Sequence, residues 1–365
     1  MLELWDADDP FGRLDRYLRA QGFFATDDGA TDDRVADVYL GYGLSRTLRR
    51  TSWPDPPEPA RLPLLACSVR GVGSGGGRSA TGSFRVGPWV QTWTPQDHAR
   101  AVRAARDAIA AGEVYQVNLV QHLRAPFEGD PRSVAHALGV LRPRHGRLLG
   151  GDGWAIVSAS PELFLSRRGD TLTTMPIKGT RPSGRSEELR RSAKDAAEHV
   201  MIVDLERNDL GRVSEPGSVA WPELMTPRSM AGVEHLVSSV TGRIRSGVGL
   251  PKLLGAMFPG GSVTGAPKIA AIDQIARLEP VGRGASMGAL GVIHANGDFD
   301  LALTIRTFAM VDEVIHLWVG GGIVWDSDPD AEVEESWVKA RPLLAALAAG
   351  MTDTRTAPRP AAVVA

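Results

Sequence analysis

Apolar residues recur at helical spacing through Val102, Ala105, Ile109 and Ala110, directly after Thr94-Pro95-Gln96-Asp97. The pattern predicts a helix opening at Thr94, because threonine is a good N-cap and proline suits the first turn. Further helices are predicted over 133–141, 187–205, 267–278 and 330–349. Runs rich in β-branched and apolar residues predict strands over 114–123, 154–158, 163–166 and 171–177, then over 288–294, 299–308 and 314–324. Asn296-Gly297 is a hairpin pair joining the fifth and sixth of these runs. Strands come in consecutive hairpins with helices between the groups, which argues an α+β fold over a doubly wound sheet.

Residues 1–90 show no such order. They hold a proline-rich stretch at 53–59 and a glycine-rich one at 71–77, and read as a small loop-rich region of short strands integrated with the core. Residues 91–349 form the main domain. The tail 350–365 is threonine, proline and alanine and is expected to be disordered.

Composition narrows the function. The net charge of -2 implies no nucleic-acid partner. No apolar run reaches the length of a membrane span, and the acidic N-terminus does not read as a signal peptide, so a cytoplasmic protein is expected. The single cysteine, Cys67, can form neither an internal disulfide nor a zinc site.

The chain has 41 basic residues but only five lysines: Lys178, Lys194, Lys252, Lys268 and Lys339. Arginine covers the generic positive charge, so a remaining lysine is more apt to need an amine, which can lose its proton and attack carbon. Lys178 stands in Pro176-Ile177-Lys178-Gly179-Thr180, after a β-like run and before a turn. On the residues alone it reads equally as a strand-end site or as a surface lysine beside a turn. Desolvation or nearby cations are expected to lower its pKa.

Other motifs carry two readings each. Gly71–Gly76 fits a dinucleotide fingerprint, but a strand-like stretch follows where a helix is needed, so a plain loop is preferred. Gly260–Gly265 has phosphate-loop glycine spacing without its Lys-Ser/Thr, leaving an anion site at a helix start or a simple turn. Asp195 and Glu198 share one helix face, as do Glu332 and Glu335. The two faces could converge on magnesium, or both could be solvated. The charged segment Asp204–Arg212 reads as a structural ion network.

Together these segments resemble the chorismate-using enzymes: anthranilate synthase component I, aminodeoxychorismate synthase component I, and the isochorismate and salicylate synthases. The resemblance covers about residues 90–346. It rests on 112–119, 158–164 and 176–182, on the long stretch 194–213, and on 259–268, 305–307, 320–329 and 335–340. It implies an antiparallel β-sandwich core with helices packed outside and a central cleft, and makes 91–349 the chorismate-binding catalytic domain. Isochorismate and salicylate synthases carry a water-activating lysine where this chain has Gln116, so Gln116 implies ammonia as nucleophile. Anthranilate synthases read Pro-Ile-Ala-Gly-Thr; this chain resembles aminodeoxychorismate synthases in having Lys178.

By that resemblance, Lys178 attacks C2 of chorismate, Glu162 protonates the departing C4 hydroxyl, and ammonia displaces the lysine to give 4-amino-4-deoxychorismate, the precursor of 4-aminobenzoate. Glu198 and Glu335, with Glu332 close by, would hold Mg2+. Arg306 would bind a carboxylate; Gly179, Thr180 and Gly320, Gly321 and Gly322 would present backbone donors; His235 and Ser262 would line the cleft. Met287 stands where many relatives have tyrosine. The Pro-Tyr stretch of a tryptophan pocket is missing around Arg142, so no feedback inhibition is expected. Cys67 lies in no nucleophile turn, so a separate glutamine amidotransferase subunit, component II, would supply ammonia. The alternatives are an anthranilate or amino-dideoxychorismate type of aminase in secondary metabolism, and a non-catalytic chorismate-binding or partner-activating subunit.

Overall fold

In the computed structural model, residues 1–25, 33–72, 82–182, 184–230 and 233–351 are described. In chain order the first strands are β1 (Leu2–Leu4), β2 (Arg34–Leu40), β3 (Leu65–Gly71), β4 (Phe84–Val86), β5 (Val90–Gln91) and β6 (Gln116–Gly129). There follow β7 (His145–Gly151), β8 (Trp154–Ser160), β9 (Leu163–Arg168), β10 (Thr171–Met175), β11 (Ile177–Pro182), β12 (Ala220–Met230) and β13 (Val233–Arg243). The last five are β14 (Gly265–Ala266), β15 (Ala289–His294), β16 (Phe299–Leu303), β17 (Thr307–Val311) and β18 (Val314–Ile323). The helices are α1 (Pro10–Ala20), α2 (Pro95–Ala110), α3 (Pro131–Leu138), α4 (Ser186–Arg191), α5 (Ala193–Gly211), α6 (Leu250–Met257), α7 (Lys268–Leu278) and α8 (Pro329–Gly350).

The strands make two antiparallel sheets, as the α+β expectation requires. The ten-stranded sheet runs β1-β3-β2-β15-β16-β9-β10-β13-β11, with β12 also on β13. The eight-stranded sheet runs β14-β6-β18-β17-β8-β7, with β4 and β5 also on β6. Alternation along β8 shows how the layers form. Trp154 and Ile156 join the larger core, which also takes Leu165, Leu172 and Leu301 of the other sheet. Ala155, Val157 and Ala159 join Val134 and Leu138 of α3 and Leu343 and Leu347 of α8 in a second core. A period of two thus puts one face of the smaller sheet against the larger sheet and the other against helices.

Thr94 caps α2 with a full capping box, Asp97 returning the bond. Four sequence expectations need correction. Residues 1–90 contain an eleven-residue helix, α1, and two seven-residue strands, β2 and β3, that extend the large sheet. The helix expected over 187–205 is two, α4 and α5, because the Ser192 side chain accepts the Asp195 N–H and starts a new helix. The strand expected over 299–308 is broken into β16 and β17. Lys178 lies inside β11, which restarts after Pro176, and not at a strand end. The pair β12 and β13 was not expected at all. The Gly71–Gly76 motif beyond Val72, and the tail from Thr352, lie outside the described residues.

Two of the points where the chain passes between the sheets run side by side. One crossing, through Pro161-Glu162, leads from β8 to β9; another, through Thr304-Ile305-Arg306, leads from β16 to β17. The Leu303 N–H donates to the Glu162 carbonyl and the Ala159 N–H to the Arg306 carbonyl, both at 3.0 Å. Among the described residues no helix is long and apolar enough to cross a membrane.

Candidate active site

A cavity of about 450 Å³ opens at this seam. The large sheet and α5 supply Lys178, Gly179 and Glu198 to its wall. The small sheet and α8 supply Gly320, Gly321, Gly322, Glu332 and Glu335, and the crossings supply Glu162 and Arg306. His235 of β13 and Ser262 of the Gly261–Val263 turn also line the cavity, as does Met287; of the expected residues, Gln116 and Thr180 are not on its wall.

Lys178 Nζ lies 3.0 Å from Glu198 Oε1, with both side chains close to nine-tenths buried. Burial pushes the amine pKa down, but Glu198, Glu162 and Glu335 together outweigh it and hold the pKa above the usual lysine value. The expectation of a lowered pKa is therefore wrong for the free protein: the amine is kept charged by its acidic neighbours. Glu162 is 3% exposed. Burial raises its pKa; Lys178, the Ser262 hydroxyl, the Ile177 N–H at 3.3 Å and Arg306 pull the other way without cancelling it. A carboxyl raised in this manner can hold a proton for donation.

Arg306 has φ 51°, in the left-handed region that arginine seldom adopts. This is where the 299–308 run leaves the sheet, and the turn puts the guanidinium on the cavity wall. Burial lowers its pKa, opposed by Glu162. His235 Nδ1 is 2.9 Å from the Gly179 carbonyl, so that nitrogen carries the proton and donates; burial pushes the imidazole down to about 4. Thr180 belongs to β11, and its side chain is not among those described.

The glycine triplet in β18 lets carboxylates come close to the backbone. A side chain on Gly322 would lie against Gln116 Nε2 and 2.7 Å from Glu198 Oε1. One on Gly321 would be 3.2 Å from Glu335 Oε1 and from Lys339 Nζ, and 3.5 Å from Glu332 Oε2. Gln116 itself does not line the cavity. It is fully buried behind Gly322, and among the described residues neither its Oε1 nor its Nε2 has a hydrogen-bond partner.

Lys339 was not expected here. Its Nζ is 2.7 Å from Glu335 Oε1 and donates to the Gly320 carbonyl at 2.8 Å. The scarcity of lysine and its spacing four residues after Glu335 were the signals that could have found it. Asn118, Arg181 and Trp318 also line the cavity unforeseen. Arg181 pairs with Asp195 at 2.9 Å, so Asp195 turns to a structural partner.

Among the described residues no three acidic, imidazole or thiolate side chains are gathered tightly enough to hold a metal alone. Magnesium needs only one or two protein carboxylates when a substrate oxygen and water complete the shell. Glu198 and Glu335, on either side of Gly321–Gly322, fit that role once Lys178 and Lys339 release them.

A protein-family model described as chorismate binding enzyme matches residues 74–345. The chain is 38% identical over 327 residues to anthranilate synthase component 1 of Streptomyces coelicolor, covering 87% of this chain and 60% of that protein. It is 38% identical over 265 residues to aminodeoxychorismate synthase component 1 of Escherichia coli, covering 70% of this chain and 58% of that protein. The crystal structure of anthranilate synthase component I from Streptococcus pneumoniae superposes with a TM-score of 0.78 at 26% identity, covering 90% of this chain and 84% of that one. The protein belongs to the chorismate-binding enzyme family. It spans 58–60% of the length of these two curated relatives, which carry two different names at the same identity.

Proposed function

We propose that this protein aminates chorismate at C4, using ammonia from a glutamine amidotransferase subunit, to give 4-amino-4-deoxychorismate. The observation that carries the reading is Lys178: a primary amine on the cavity wall, 3.0 Å from Glu198 and facing the field of the buried acid Glu162. An anthranilate-type aminase has no use for an amine at this place, and the resemblance gives those enzymes alanine there.

The amine attacks C2, both ring double bonds shift toward C4, and the C4 hydroxyl takes the Glu162 proton and leaves as water. Ammonia then adds at C4, and the lysine departs from C2. The amine must first lose its proton, which Glu198 opposes while it is paired with Lys178. Bound magnesium would supply charge neutralisation for a substrate carboxylate and for Glu198 and Glu335. Arg306 would hold a second carboxylate in a two-pronged contact. Gln116, its buried amide without a partner among the described residues, would stand near the incoming ammonia.

Product identification tests the reading. Purified protein with chorismate, magnesium and ammonium salt should form 4-amino-4-deoxychorismate, resolved from anthranilate by chromatography and mass. Glutamine should not replace ammonium unless the amidotransferase subunit is added. Glu198→Gln or Glu335→Gln should raise the magnesium required. Anthranilate as the product, or no turnover of chorismate, would overturn the proposal.

A further inference from the structure

Behind the Gly261–Val263 turn lies a second buried acid, Glu206 of α5, which the proposed chemistry does not use. It is 5% exposed, and its Oε2 accepts a 2.7 Å hydrogen bond from the Thr174 hydroxyl. A side chain on Gly261 would reach its Cγ at 3.5 Å, so the turn stands over it. The next residue, Ser262, bonds Glu162. Thr174 and Ile177, three apart in sequence, hold Glu206 and Glu162 respectively. The two acids are fastened to the same two pieces of chain.

The lysines nearby are engaged elsewhere. Lys178 pairs with Glu198 at 3.0 Å and Lys268 with Asp209 at 2.5 Å. Neither Glu162 nor Glu206 has an ion-pair partner among the described residues. The charged groups acting on Glu206 are Glu162 across the turn, Asp209 three residues along α5, and Lys268 from α7. Those acting on Glu162 are Lys178 and Arg306. Two buried carboxyls braced by the same turn and strand do not both ionise easily, and the charge of Glu162 raises the Glu206 carboxyl.

We propose that Glu206 and Glu162 form a coupled acid pair that retains one proton through neutral pH, with Glu206 setting how far into the basic range Glu162 stays supplied. This rests on Glu162 being the proton donor of the proposed reaction. When Glu162 protonates the departing hydroxyl, water leaves, Glu162 remains as carboxylate, and the pair recovers a proton from solvent. Glu206 touches no substrate; it is a positioning residue for the proton on Glu162. Burial first, then the charges of Glu162 and Asp209, push the Glu206 carboxyl up to about 8, against the Thr174 hydrogen bond and Lys268.

The test is the pH profile of kcat/KM at fixed free ammonia. Glu206→Gln keeps the size and the Thr174 contact but has no proton to hold, so the basic limb should move to lower pH by roughly one unit. Thr174→Val deletes a donor that favours ionised Glu206, so Glu206 stays neutral to higher pH, as glutamine would be, and the limb should move in the same direction by less than in Glu206→Gln. Infrared spectra of the free protein need no turnover. Wild type should show protonated carboxyl absorption that fades toward pH 8, and in Glu206→Gln the absorption should be weaker and fade at lower pH. Profiles that superimpose, or carboxyl absorption in Glu206→Gln that fades at the wild-type pH, would overturn the pair. A band that behaves as expected in an enzyme making a different product would overturn the proposed reaction and leave the pair standing.

Discussion

Lys178 and Lys268 have similar surroundings and, in the proposed reaction, opposite uses. Each side chain is 10% exposed, and each pairs with an acid of α5, Glu198 at 3.0 Å and Asp209 at 2.5 Å. Lys268 also donates to the Met257 carbonyl at 3.1 Å, tying α7 to the end of α6. Lys178 faces the cavity. The scarcity of lysine in an arginine-rich chain marks both residues and cannot separate them. What separates a reactive amine from a clamp is the empty space in front of it.

The sharpest way to break this comparison is to delete each lysine. Lys178→Ala should lower turnover on the order of 10⁴-fold, as removal of a covalent nucleophile does, with the fold retained by circular dichroism. Wild-type turnover in that variant would end the role given to Lys178. Lys268→Met should act on stability instead. It leaves Asp209 buried without its partner, a loss of about 3–5 kcal/mol, read by urea unfolding. Turnover per folded molecule should stay within about tenfold of wild type; a larger drop at full stability would make Lys268 part of the site.

The smallest effect concerns the acid beside that clamp. The folded pKa of Glu206, about 8, lies above its unfolded value, so the native state holds a proton that the unfolded chain releases. The stability this contributes is complete below the ordinary carboxyl range and is lost as pH rises to about 8. Wild type should therefore lose more thermal stability than Glu206→Gln across that window, a difference of a few degrees in Tm, roughly. Parallel Tm curves would show that Glu206 does not titrate there.

Most of the site was legible because its residues sit in short, chemically specific motifs: Lys178, Glu162, Arg306 and the glycine triplet all reach one cavity. The electrostatics were not legible. A motif says nothing of which carboxylates will stand around an amine, and three acids reverse the effect of burial on Lys178. Glu206 was read as one charge in a structural ion network. Its neighbours Asp204 and Arg207 do pair there at 2.7 Å, but helical rotation turns Glu206 inward. The fold was lost where local signals conflict. Pro222 and Pro227 argue against a strand, yet β12 pairs only with β13 and through register shifts, where proline is tolerated. The break at Ser192 has no glycine or proline to announce it; a serine cap alone makes it.

The crossings at the seam have a consequence for how activity is acquired. Glu162 and Arg306 lie on segments that belong to neither sheet and are braced against one another only when both sheets are in place. Each hairpin can form from neighbours in sequence, but the acid and the guanidinium meet only after distant parts of the chain have docked. On refolding, strand content should therefore return before turnover does. The proposed reaction would report the last act of assembly, and partly assembled chains would be chemically silent.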